Sequence, residues 1–203
     1  LTSAEYPVGG ALGGMPMAIK DLANVKGFKT TEGSPLYSER VARKDDQMVA
    51  RLRAAGALFI GKTNTPEFGL GSNTFNPVYG KTKNPYDLTR TCGGSSGGAA
   101  VALATRMLSI SDGSDMMGSL RNPAAWNNVY GMRPTWGLVP PEPSGEIFLS
   151  QLSTLGPMAR SPKDLALLLD VQANHFDNKS DVSQSKSFSN FTAQPRMKGI
   201  KIG

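Results

Sequence analysis

Three serines of this 203-residue chain stand in loops built from small residues. Ser95 and Ser96 lie in TCGGSSGGAA (91–100), and Ser119 lies in DGSDMMGSLRNPAAWNN (112–128). Tight, glycine-rich backbone exposes a hydroxyl and lets a reacting group approach closely. Each loop therefore offers a candidate nucleophile for acyl transfer. A serine attacks only when a neighbouring base takes its proton. The base is the open question, because the chain has a single histidine, His175, in a polar stretch far downstream.

Two answers compete. Gly93-Gly94-Ser95-Ser96-Gly97 matches G-x-S-x-G, the turn that lifts a serine above an α/β-hydrolase sheet, and the order Ser, Asp, His is available through His175. That pattern carries little information inside a run of glycines, and a solvent-facing cation at a helix end is the better account of His175. A Ser-His-acid hydrolase on Ser95 and His175 stays as the alternative. The other answer is lysine, which must be neutral to act and so must be desolvated. Lys20 directly follows the apolar Met17-Ala18-Ile19. Its plain reading is a strand-end lysine paired with Asp21, and the residues alone favour that reading. GGSSGG lacks the lysine of a phosphate-binding P-loop. Ser183-Gln184-Ser185-Lys186 matches S-x-x-K only by chance, within a serine-rich tract.

The elements that must position these groups alternate. MPMAIKDL (15–22) predicts a buried strand opening into a loop. DDQMVARLRAAGA (45–57) predicts a helix with Asp45 as N-cap and Gly56 just past its end, followed by a strand over Leu58–Gly61. GGAAVALAT predicts a closely packed helix from Gly97, and MLSISDG (107–113) a strand feeding the Ser119 loop. A helix starting near Ser119 follows, which requires Pro123 to lie in its first turn. Ser161, Pro162 and Asp164 are N-cap, N1 and N3 of another helix. Residues 177–196 form a serine-rich loop or linker without periodicity, and MKGIKIG begins a strand. Strand–helix alternation of this kind marks an α/β fold. A chain opening on Leu1 and closing at a strand is expected to be a central portion of a longer domain.

Composition narrows the classes. One cysteine, Cys92, leaves no intrachain disulfide and no cysteine-rich zinc site, which suits a reducing, cytoplasmic setting. No run approaches the roughly 20 apolar residues of a membrane span. The net charge of +6 is dispersed, with no basic block or aromatic ladder, so nucleic acid is not the expected partner.

Taken together and in order, MAIKDL, GGSSGGAAVALA and SDMMGSLRNPAA resemble the amidase signature family of serine hydrolases. GKTNTPEFG (61–69), YGMRPTWGLVP (130–140) and LGPMARSPKDLALLLD (155–170) agree with it, as do separations of 75 positions from Lys20 to Ser95 and 24 from Ser95 to Ser119. The resemblance runs from about Gly9 to Val171 and resumes at MKGIKIG. It implies an α/β/α sandwich around a mixed sheet, truncated at both ends, with residues 1–203 the central portion of one amidase domain. It also implies a Ser–cis-Ser–Lys triad: Ser119 as nucleophile, Ser95 as the bridging serine, Lys20 as base. Backbone N–H groups of Met116, Met117, Gly118 and Ser119 would form an oxyanion hole, and Ser96, Asp115 and Arg121 would support the loops. No metal or organic cofactor is implied.

The implied substrate is a small amide, cleaved to acid and amine or ammonia through an acyl-enzyme, with a homodimer as the candidate assembly. The A subunit of glutamyl-tRNA(Gln) amidotransferase shares these motifs and is the alternative, followed by a non-catalytic homologue. Two positions depart from the family pattern. Met117 stands where a glycine is usual; a methionine disfavours positive φ, so the hole keeps ordinary angles there or differs in detail, and the paired methionines are expected to line the acyl pocket. Cys92 stands where proline is common and is expected to be a buried structural thiol.

Overall fold

A computed structural model describes residues 9–142, 151–173 and 187–190. Strand β1 (Pro16–Lys20) pairs in parallel with β2 (Leu58–Thr63), with helix α1 (Gln47–Ala54) in the crossover. A short antiparallel ribbon, β3 (Phe75–Asn76) and β4 (Gly80–Lys81), precedes helix α2 (Gly97–Ala104). Strand β5 (Ile110–Asp115) leads into helix α3 (Arg121–Trp126) and β6 (Tyr130–Gly131). Strand β7 (Thr154–Ala159) then runs antiparallel between β5 and β6, and helix α4 (Pro162–Ala173) follows it.

Strand alternation sorts the side chains into two layers. Met17 and Ile19 of β1, Phe59 of β2 and Ile110 of β5 face Met48, Val49 and Leu52 of α1 and Leu168 and Leu169 of α4. Ala18 of β1 and Met158 of β7 face the opposite side, against Ala99, Ala100 and Leu103 of α2 and Ala124 of α3. Helices therefore cover both faces of parallel and antiparallel strands, the expected α/β/α arrangement. Burial of each large apolar side chain in these layers contributes about 1.5–3 kcal/mol. The small face of α2 lets it approach closely: a Cβ at Gly98 would collide with the backbone of Asn64.

The two strand groups meet along β1 and β5 without a backbone ladder among the described residues. Side chains bridge them instead. Asp112 Oδ1 accepts the Lys20 backbone N–H at 2.9 Å, and Ser111 Oγ donates to the Ala18 carbonyl at 3.2 Å.

Several predicted boundaries shift. The N-cap position of α1 is Asp46, not Asp45, and Asp46 makes no side-chain cap bond. Asp45 is drawn away by the Lys26 N–H at 2.6 Å and by the Arg53 guanidinium. Strand β5 starts at Ile110 and not at Met107, because Met107 and Leu108 both donate back to the Ala102 carbonyl and close α2. Strand β2 runs two residues beyond Gly61, to Thr63. Gly56 follows α1 with φ of +93°, as predicted, and Ser161 Oγ accepts the Asp164 N–H at 3.1 Å as the cap of α4. Most of the serine-rich segment 177–196, and the closing MKGIKIG, lie outside the described residues. Within it, Phe188–Asn190 form a 3-10 turn, where Ser187 Oγ and the N–H groups of Phe188 and Ser189 donate to Asp170 of α4. No helix among the described residues is long and apolar enough to cross a membrane.

Candidate active site

Lys20 ends β1 with a side chain that is only 1% exposed. Its Nζ donates to Ser95 Oγ at 2.7 Å, Ser96 Oγ at 2.9 Å and Ser114 Oγ at 3.0 Å. Ser95 and Ser96 come from the loop before α2, where the Gly94–Ser95 peptide bond is cis. Ser114 comes from β5. Three loops and strands distant in sequence thus converge on one amine. Burial strips water from the ammonium and lowers its pKa to about 7, against the opposing pull of Asp112 and Asp115.

Ser119 follows β5 in a partly exposed turn. Its carbonyl accepts the Ser96 N–H at 3.3 Å, and its Oγ has no hydrogen-bond partner among the described residues. Asp115 anchors this turn. Its carboxylate accepts the N–H groups of Gly118 at 2.8 Å and Leu120 at 3.1 Å, together with a two-pronged contact from Arg121 at 3.0 Å each. Arg133 adds a bond at 2.9 Å and also holds the Met116 and Leu152 carbonyls. Burial pushes the Asp115 carboxyl up, but these donors outweigh it and hold it well below the usual carboxylate range. Gly118 takes φ of +115°, and Met117 keeps out of the positive-φ region. The departure at Met117 is therefore accommodated with ordinary backbone angles there.

A second buried charge pair lies beside the first. Lys62 of β2 donates to Asp21 at 3.1 Å, to the Ala23 carbonyl at 2.8 Å and to Thr30 Oγ1 at 3.1 Å. Asp21 also accepts from Thr31. Asp21 is thus the partner of Lys62, and the plain reading of Lys20 as an Asp21-paired strand end is corrected.

The Amidase family model matches residues 2–203. This chain belongs to the amidase signature family. It is 42% identical over 195 residues to the A subunit of the glutamyl-tRNA(Gln) amidotransferase of Syntrophobacter fumaroxidans, covering 95% of this chain and 40% of that one. Among solved structures, it is similar to the peptide amidase of Stenotrophomonas maltophilia (34% identity, TM-score 0.74, 87% of this chain and 38% of that one). It is equally similar to a bacterial aryl acylamidase of the amidase signature family (34% identity, TM-score 0.74, 80% and 34%). The chain spans about two fifths of the length of the curated relative. Members of the amidase signature family are hydrolases acting on carbon–nitrogen bonds of amides.

Against the pattern implied by the amidase signature family, the structure gathers Lys20, Ser95 and Ser96 into direct contact and brings Ser119 to them through its backbone. Of the four N–H groups expected in the oxyanion hole, that of Gly118 donates to Asp115 Oδ1 at 2.8 Å. Those of Met116, Met117 and Ser119 have no acceptor among the described residues. Cys92 is fully buried, with Sγ at 3.2 Å from the Thr82 carbonyl, and burial pushes its thiol up. It has the environment of a structural thiol. His175 lies outside the described residues. Among the described residues no group of three or more His, Cys, Asp or Glu could hold a metal ion.

Ser114, Asp112 and Arg133 join the site without having been expected from the sequence. The first two carry a signal: Asp112 and Ser114 are two apart on a strand and so share one face, which the structure turns toward Lys20. Arg133 carries none, since its reach across to Asp115 depends on β6 and β7 lying together.

Proposed function

We propose that this chain carries the catalytic centre of an amide hydrolase that works through a Ser119–Ser95–Lys20 relay. The observation that carries this reading is the buried Lys20 Nζ at 2.7 Å from Ser95 Oγ, in a pocket that lowers the lysine to about 7. An ammonium donates three hydrogen bonds, the number Lys20 makes. Loss of one proton leaves two N–H donors and a lone pair, so one serine must turn and donate to Nζ. Ser95, the shortest contact, takes that role.

Ser119 Oγ attacks the amide carbonyl carbon as its proton passes to Ser95 Oγ, and the Ser95 proton passes to Lys20 Nζ. The tetrahedral oxyanion is held by N–H groups of Met116, Met117 and Ser119, each donor worth about 3 kcal/mol. The relay then runs in reverse and Ser95 protonates the leaving nitrogen as the C–N bond breaks. Water, deprotonated by the same relay, cleaves the acyl-Ser119 ester. Ser119 Oγ has to close on Ser95 once substrate is seated, as catalytic hydrogen bonds commonly do. Asp115, with Arg121 and Arg133, keeps the donor loop in shape.

The proposed substrate is a small carboxylic amide, in a cytoplasmic setting. A second reading, glutamine as ammonia donor within an amidotransferase complex, is favoured by the 42% identity to an amidotransferase A subunit. Fluorophosphonate labelling with peptide mass spectrometry tests the relay. Label on Ser119 is expected in the wild-type chain, with Lys20→Ala slowing it about 10²–10⁴-fold, the usual contribution of a general base. Label on Ser95 alone would instead favour the His175 alternative. Equal labelling of the wild-type and Lys20→Ala chains would sink the assignment. Supplying glutamine and simple amides side by side separates the two substrate readings.

A further inference from the structure

Asp112 is a buried titratable group that the relay does not use. It is 1% exposed and sits on β5 beneath Lys20, with Oδ1 on the Lys20 backbone N–H at 2.9 Å. The other charges around Lys20 are already matched. Asp115 of β5 is held by Arg121 and Arg133. Asp21, which follows β1, is held by Lys62 of β2, and Asp46 lies further off, acting on Lys62. Ser95, Ser96 and Ser114 complete the wall and carry no charge. Asp112 and Asp115 both pull on Lys20, but Asp112 is the one of the two that makes no ion pair of its own among the described residues.

We infer that Asp112 is a positioning residue for Lys20: its carboxylate fixes the end of β1 through the Lys20 N–H, and its charge sets how readily Nζ gives up its proton. This rests on the proposed role of Lys20 as base. One bond and one field act on the same residue. The bond aims the side chain at Ser95, while the negative charge favours the ammonium and keeps burial from neutralising the lysine outright. Burial raises the Asp112 carboxyl to about 6, against the pull of the Lys20 N–H, the Lys20 ammonium and Lys62. Protonation of Asp112 below that point removes the field, so the two groups titrate as a coupled pair.

The test is a pH titration by NMR of the chain labelled with 13C at lysine Cε and aspartate Cγ. In the wild-type protein the Lys20 signal is expected to move in two steps, one coinciding with titration of Asp112. A single Lys20 step, blind to Asp112, would overturn the inference without needing any variant to fold. In Asp112→Asn, which keeps an oxygen for the Lys20 N–H but loses the charge, the Lys20 midpoint should fall by about one pH unit. A purely structural clamp would leave that midpoint unmoved and overturn the inference. The fluorophosphonate reaction, followed in the same proteins, keeps the two readings apart. Coupled titration with no label on Ser119 would sink the relay and leave the Lys20–Asp112 pairing standing.

Discussion

Lys20 is the residue on which the site turns, and its chemistry follows from burial. An exposed lysine stays an ammonium far above neutral pH; this one is brought to about 7 because the pocket gives the charge hydroxyl oxygens but almost no water. Labelling of Ser119 should therefore rise with pH through about 7, as the amine forms, and a rate flat across that range would refute a lysine base. The same shift acts on stability. The unfolded chain holds the Lys20 proton up to 10.5 and the folded chain only to about 7, so stability rises with pH across that window. Replacing Lys20 by Met removes this term. The melting-temperature advantage of Lys20→Met over the wild type should be largest below pH 7 and shrink toward pH 10.

At the scale of the elements, much was legible. Ser161, Pro162 and Asp164 encode the start of α4 in local chemistry, and the structure keeps it. Ser161→Ala should lower stability by about 1 kcal/mol, measured by denaturant unfolding, while leaving the Ser119 labelling rate unchanged. Asp45 shows where local reading fails: its carboxyl satisfies the cap pattern, yet Arg53 and the Lys26 N–H compete for it and win. The convergence of Lys20, Ser95 and Ser119 was visible only as a family resemblance, since no local pattern joins residues 75 positions apart. Ser114 and Arg133 stayed hidden for the same reason. Their partners are set by which strands lie side by side, and a strand's own sequence does not state its neighbour.

For the whole molecule, the helices on both faces of the strands hold the proposed relay at the meeting of two strand groups. β1 and β2 bring Lys20, and β5, with the loops around it, brings the serines. The chain spans about two fifths of the length of its curated relative, and the amidase signature family takes in both the amidases and the amidotransferase component that it resembles. What the described part carries is the proposed relay and the residues that contact it.

The side-chain bridges between β1 and β5 have a dynamic corollary. A backbone ladder resists opening as one cooperative unit, whereas side-chain bonds at 2.9, 3.0 and 3.2 Å form a shallow seam. Amide hydrogen exchange should show the Lys20 N–H, guarded by Asp112, exchanging faster than the N–H groups inside the β1–β2 and β5–β7 pairs. Equal protection would mean that the seam is as firm as the sheets. If it opens first, Lys20 and the serines part before the chain unfolds, and the proposed relay disassembles from a molecule whose strand pairs are still folded.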